Sequence, residues 1–246
     1  MNHKITKTCF VVFSLEPAVC TMGLLHSLYL YVTAADSPPS SPSAFPPLAV
    51  PPSSRLAVTL NSRPVPMGDA RSLWSSAHRS PHFLLSPCGQ EVTRSPAELS
   101  SDGVRAEAGV RSGLHIWEVV WSPEHRGSHA VLGLSRKDCP LQASGYNVLV
   151  GGDSQSWGWE LKTNQLWHGG QTLGQTPLLI PERVLLVLDA DAGTLGFVVD
   201  GSFLGIAFQE LPRGAELYPA VSSVRGGASI RLRYLNGTTR KLSKFH

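Results

Sequence analysis

Dense charge is what this chain most conspicuously lacks. Only 16% of its 246 residues are charged, against roughly 25% in ordinary soluble domains, which excludes a coiled coil, a long solvent-laced helix and a charge-driven disordered chain. The formal net charge is +3 and no run of lysine or arginine occurs, so nucleic-acid binding has no electrostatic footprint. Cysteine is sparse as well. Cys9, Cys20, Cys88 and Cys139 lie far apart with no CxxC pair, which argues against a zinc site and against a disulfide-dense secreted scaffold and fits incidental or buried thiols in a reducing compartment. The catalytic signatures GxSxG, HExxH, GxGxxG and GxxxxGK[ST] are all missing.

What is present divides the chain into unequal parts. Residues 37–54 hold seven prolines among serines. Proline fixes φ and removes an amide donor, and so little aliphatic content cannot offset the entropy of ordering, so 37–70 is expected to be a disordered linker. Before it, 1–36 is an apolar leader open to two readings. MNHKITK followed by CFVVFSL has the charged-then-apolar order of a secretory signal. Against that, Glu16 and Pro17 interrupt the run, and 22–35 is shorter than the roughly 20 residues a membrane span needs. From 71 onward aromatics, valine and leucine mark a globular domain extending to 237, with a short basic tail at 238–246.

Within that domain, short β-prone runs alternate with turn residues. Residues 115–121 (HIWEVVW) alternate like a half-buried strand, and 129–135 follows after a turn-prone stretch. Residues 156–161 and 165–168 flank Lys162-Thr-Asn164 as a hairpin; 184–189 and 196–199 are joined through a turn containing Gly193; Asp200-Gly201 is a tight-turn dipeptide. Residues 229–235 alternate apolar and basic. No long 3.6-residue period appears. The fold class is all-β, an antiparallel sandwich.

Each candidate for chemistry has a plainer role. Gly152-Asp153-Ser154 shares three residues with the GDSGG around the nucleophile of trypsin-like proteases, but Gln155 and Ser156 replace the glycines the oxyanion hole requires. His115, His129 and His168 lie on or beside strands without carboxylates at readable spacing, which suits structural histidines. Asp189, Asp191 and Asp200 lack the later glutamate of an EF-hand and read as turn residues. Trp117 with Trp121, and Trp157 with Trp159, repeat at strand parity and read as core. No catalytic residue, metal or cofactor is expected.

The order of several motifs is more specific. Ser112-Gly-Leu-His-Ile-Trp-Glu118, Arg126-Gly-Ser-His-Ala-Val131, Pro140-Leu141 with Gly145-Tyr146, Ser156-Trp-Gly-Trp-Glu160, Tyr218-Pro-Ala-Val-Ser222 and Arg231-Leu-Arg-Tyr-Leu-Asn-Gly237 follow one another. The chain from Trp74 to Gly237 resembles the SPRY domain-containing SOCS box proteins. The resemblance implies a bent antiparallel β-sandwich whose loops grip an extended Asp/Glu-Ile/Leu-Asn-Asn-Asn peptide in a target protein. It also implies a cytoplasmic substrate-recognition role in a ubiquitin ligase, where a SOCS box recruits elongins B and C and a cullin. Neither nucleic acid nor membrane is an expected partner.

Carried over position by position, the peptide-binding residues are Arg94, Pro96, Tyr146, Leu149, Gly151, Val224, Arg225 and Gly226. Arg94 would donate to peptide carbonyls, Tyr146 would offer a flat face, and Gly151 and Gly226 would let the ligand approach bare backbone. Arg225 stands where the family has tryptophan, and Glu98 where it has a small residue, a carboxylate able to tie up Arg94. After Gly237 the sequence shows no residues matching a SOCS box, so elongin recruitment is not expected of the chain as it stands. The rival reading is a secreted or cell-surface recognition sandwich, with Asn236-Gly-Thr238 as a glycosylation sequon.

Overall fold

The computed structural model describes residues 54–238 apart from 64, 67 and 176–178; the leader, the proline-rich stretch up to 53 and the tail from 239 lie outside the described residues. The first sheet contains β1 (Trp74–Arg79), β4 (Ser100–Ala106), β6 (Val131–Ser135), β7 (Gln142–Ser144), β8 (Ser156–Glu160), β9 (Gln165–His168), β10 (Gln171–Gln175) and β14 (Tyr218–Ser223). The second contains β2 (Phe83–Leu85), β3 (Glu91–Arg94), β5 (Leu114–Trp121), β11 (Arg183–Asp189), β12 (Thr194–Val199), β13 (Ser202–Phe208) and β15 (Ser229–Thr238). Their orders are β1-β4-β14-β6-β8-β9-β10, with β7 beside β4, and β13-β12-β11-β5-β15-β3-β2, and every described pairing is antiparallel. The expected sandwich is the observed one.

Alternation along the strands explains the core. Trp117, Val119 and Trp121 of β5, Leu186 and Leu188 of β11, and Ile230, Leu232 and Tyr234 of β15 enter one cluster with Leu132, Leu134, Trp157, Trp159 and Val221 of the facing sheet. Arg231 and Arg233 between them point to solvent, as the apolar/basic alternation requires. Trp159 meets Phe197 across the two sheets, ring centroids 4.7 Å apart, and Trp74 Nε1 donates to the Ile230 carbonyl at 3.0 Å. Asp200 and Gly201 have φ of 47° and 76°, the two positive values a tight β12–β13 hairpin demands. His115 is satisfied by the Tyr234 hydroxyl and the Ser112 carbonyl at 2.8 and 2.7 Å. Asp189 accepts the amides of Asp191 and Ala192, the turn role expected of it.

Two expectations need correction. Strand β5 is buried on both faces rather than one, and order begins well before residue 71. Both follow from α1 (Arg55–Leu60), which lies inside the stretch read as linker. Ser54 caps it by accepting the Ala57 amide at 3.2 Å, and Arg55 reaches Asp189 and Asp191 at 3.1 and 3.3 Å. Leu56 then joins Leu114, Ile116, Leu185, Val187 and Val198 in a second cluster on the outer face of the sheet. One short amphipathic turn converts a half-exposed strand into a covered one. Replacing Leu56 by alanine should lower stability in urea melts by about 2 kcal/mol, as truncating a buried leucine does; an unchanged midpoint would contradict this seating of α1.

Candidate peptide-binding surface

Arg94 ends β3 and leaves the second sheet, and Ser100 begins β4 in the first, so residues 95–99 bridge the layers. The bridge is built around a buried guanidinium. Arg94 is fully buried; its Nε donates to Asp102 Oδ2 at 2.9 Å, and its Nη2 lies 2.7 Å from the same oxygen. The remaining hydrogens go to the carbonyls of Ser95, Ala97 and Ser100 at 3.4, 3.1 and 2.9 Å. In this structure Arg94 shapes the loop from beneath, its guanidinium engaged by the protein's own acceptors. The carboxylate holding it is Asp102, not the exposed Glu98.

Asp102 is itself a hub with no solvent exposure. Ser80 and Ser100 hydroxyls donate to its Oδ1 at 2.5 and 3.1 Å, Gln142 Nε2 at 3.2 Å, and His82 Nδ1 lies 2.9 Å away. Burial alone would raise its pKa, but the hydrogen bonds from Ser80 and His82 and the Arg94 charge outweigh that and hold the carboxyl below its usual range.

Two further loops are fastened to this bridge. Ser101 Oγ lies 2.9 and 3.0 Å from the carbonyls of Gly145 and Asn147 and accepts the Asn147 amide at 2.7 Å, while the Gly145 amide donates to the Leu99 carbonyl at 2.7 Å. These bonds hold Tyr146 at the tip of its loop, 48% exposed beside the 69% exposed Leu99. Leu99 adopts φ of 48°, an uncommon conformation for a side chain of this kind and a hint of a constrained site. On the other flank, the Gly227 amide donates to the Arg94 carbonyl at 2.7 Å. Gly226 packs so closely on Pro96 that a Cβ there would lie 3.0 Å from Pro96 Cα.

The eight expected residues thus divide. Pro96, Tyr146, Arg225 and Gly226 are exposed and Val224 half-buried, on loops joined through 95–99. Leu149 is buried against Gly103, and Gly151 is buried with its backbone against Trp167, where a Cβ would come within 2.6 Å of the Trp167 carbonyl oxygen. The protein's own backbone excludes a side chain at Gly151. Sequence reasoning missed Ser101 and Asp102; the run Ser100-Ser101-Asp102-Gly103 carries no sign that two of its members fasten loops. Ser154 lies on the surface with Gln155 as its side-chain partner at 3.1 Å, and Asp153 caps the Gln155 amide and the Ser156 hydroxyl.

Comparison with known proteins agrees with this architecture. The SPRY domain profile matches residues 114–235. Human SPRY domain-containing SOCS box protein 2 is 38% identical over 211 residues, covering 82% of this chain and 79% of that one. The chain belongs to the SPRY domain-containing SOCS box protein family. Human SPRY domain-containing SOCS box protein 1 is 39% identical over 175 residues, 67% of this chain, and the chain spans 64% of that relative's length. Among solved structures, the SPRY domain of human HERC1 superimposes with a TM-score of 0.54 at 22% identity, over 65% of this chain and 97% of that one. The TRIM65 PSpry domain gives 0.55 at 23%, over 65% and 87%. These two likenesses concern the fold.

In this member of the SPRY domain-containing SOCS box family the loops hang on Asp102, and that has a measurable consequence. Asp102→Asn should lower stability at neutral pH by about 3 kcal/mol, because it leaves the Arg94 charge buried without its partner. The depressed carboxyl contributes stability above the ordinary carboxylate range and loses it as pH falls through its folded pKa. Denaturant melts from neutral pH downward should show a steeper acid loss in the native chain than in the variant. Parallel acid limbs would contradict the assignment.

Proposed function

We propose that this chain is a peptide-recognition module that grips an extended Asp/Glu-Ile/Leu-Asn-Asn-Asn segment of a target protein on the surface formed by Pro96, Leu99, Tyr146 and Val224–Gly226. The observation that carries the reading is convergence. Three loops distant in sequence are tied by backbone and hydroxyl hydrogen bonds around one bridge, so exposed groups share a preformed surface. A preformed site loses less ordering entropy on binding. Tyr146 supplies a flat apolar face with a hydroxyl, and asparagine side chains in the ligand pair a donor with an acceptor, matching exposed backbone.

The role is binding, and no catalytic residue, metal or cofactor is invoked. A target held this way would be presented for ubiquitylation through elongins B and C and a cullin wherever the recruiting box is supplied, in the cytoplasm. Among the described residues no helix is long and apolar enough to cross a membrane. The secreted alternative leans on the sequon at Asn236, whose Nδ2 donates to the Arg63 carbonyl at 3.0 Å while its Oδ1 accepts the Gly237 amide.

Titration of an Asp-Ile-Asn-Asn-Asn peptide into the full chain by calorimetry tests the proposal. Tyr146→Ala should weaken binding about tenfold and Arg225→Trp strengthen it roughly thirtyfold, the scale of one aromatic anchor at an interface. Absence of heat with both the native chain and Arg225→Trp would end the proposal.

A further inference from the structure

Arg225 sits between two residues of the peptide surface, but its side chain serves a different hollow. Its stem lies on Gly127, where a Cβ would come within 2.9 Å of Arg225 Cβ and 3.1 Å of its Cδ. With Pro123, Glu124, Arg126, Lys162 and Ile180 it lines a cleft of about 320 Å³. Three cations and one carboxylate are among those lining groups.

The cations are poorly matched by the protein's own charges. Arg225 and Lys162 are exposed, and neither side chain has a hydrogen-bond or ion-pair partner among the described residues. Arg126 is 4% exposed, yet its guanidinium reaches only neutral carbonyls: Trp121 at 2.8 Å, Ile180 at 2.7 Å and Pro181. Its Nε is buried with no partner. Burial without a counter-ion brings its pKa down to about 10, against the weaker pull of Glu182 and Glu160. Glu160 is occupied nearby, accepting from the Lys162 and Thr163 amides and the Thr163 hydroxyl. The lining itself holds three cations to one carboxylate, with Glu160 and Glu182 outside it, and its Ile180 and Pro123 wall strengthens the field that an entering anion would feel.

We propose that this cleft is an anion subsite adjoining the peptide surface, taking a carboxylate side chain that flanks the bound motif on the same target. The inference rests on the peptide-binding role proposed above. It favours a peptide carboxylate because Arg225 connects the two places: Val224 and Gly226 face the bound segment, and an extended chain advances about 3.3 Å per residue, so a flanking side chain needs only a few residues to arrive.

The test uses the full chain and fluorescein-labelled peptides sharing the Asp-Ile-Asn-Asn-Asn core, flanked on both sides by three glutamates or by three glutamines. At low salt the glutamate peptide should bind about fivefold tighter, the scale of two partly exposed ion pairs. High salt should erase the difference. The Arg225→Gln/Lys162→Gln variant should lose it too, read as the ratio of the two peptides on that one variant so that any change in binding of the shared core cancels. Equal binding of both peptides, or a glutamate advantage that survives in the double variant, overturns the subsite while leaving the peptide-binding role standing. Binding of neither peptide overturns that role and the subsite with it.

Discussion

A carboxylate and a guanidinium withdrawn from water, Asp102 and Arg94, determine the shape of everything at this end of the sandwich. Burying such a pair costs desolvation on both partners, and good geometry with further hydrogen bonds is what offsets it. Here Asp102 has Ser80, Ser100, Gln142, His82 and Arg94 around it, and Arg94 spends its other hydrogens on three loop carbonyls. The geometry is specific enough to choose one path for residues 95–99 between the two sheets. With that path chosen, Leu99 meets the Gly145 amide and Arg94 meets the Gly227 amide, so the other two loops inherit their positions.

The pair also explains why the surface divides as it does. The paired charges lie beneath the loop, and what faces solvent is Pro96, Glu98, Leu99, Tyr146 and the Val224–Gly226 turn. The apolar and backbone groups in this set suit recognition of backbone and amide groups. Acidic context is sensed to one side, where Arg225 and Lys162, without side-chain partners among the described residues, line one cleft with the buried Arg126.

Strand parity made much of the fold legible. Ile230, Leu232 and Tyr234 had to share one side of β15, and Trp117, Val119 and Trp121 one side of β5, because successive side chains alternate across a sheet. Hairpins at Asp200-Gly201 and around Asn164 were legible for the same local reason, their backbones needing positive φ. The helix at Arg55–Leu60 was hidden because six residues carry too little periodicity, and its support comes from Ile116 and Val187, far away in sequence. At the site, motif order named three loops that the structure brings together, and missed the division of labour within them. Arg94 and Tyr146 look alike as loop residues in a sequence. Only the burial of Asp102, set by the pairing of β4 with β14 and β7, separates the residue that braces from the one that is displayed.

The central claim is that three separate loops form one ligand surface braced from below. Amide chemical-shift mapping of the isotope-labelled chain during titration with the Asp-Ile-Asn-Asn-Asn peptide tests it directly. The account predicts concerted shifts at residues 97–99, 145–148 and 224–227, with one saturation curve for all three. Shifts confined to a single loop, or three loops saturating at different peptide concentrations, would contradict it.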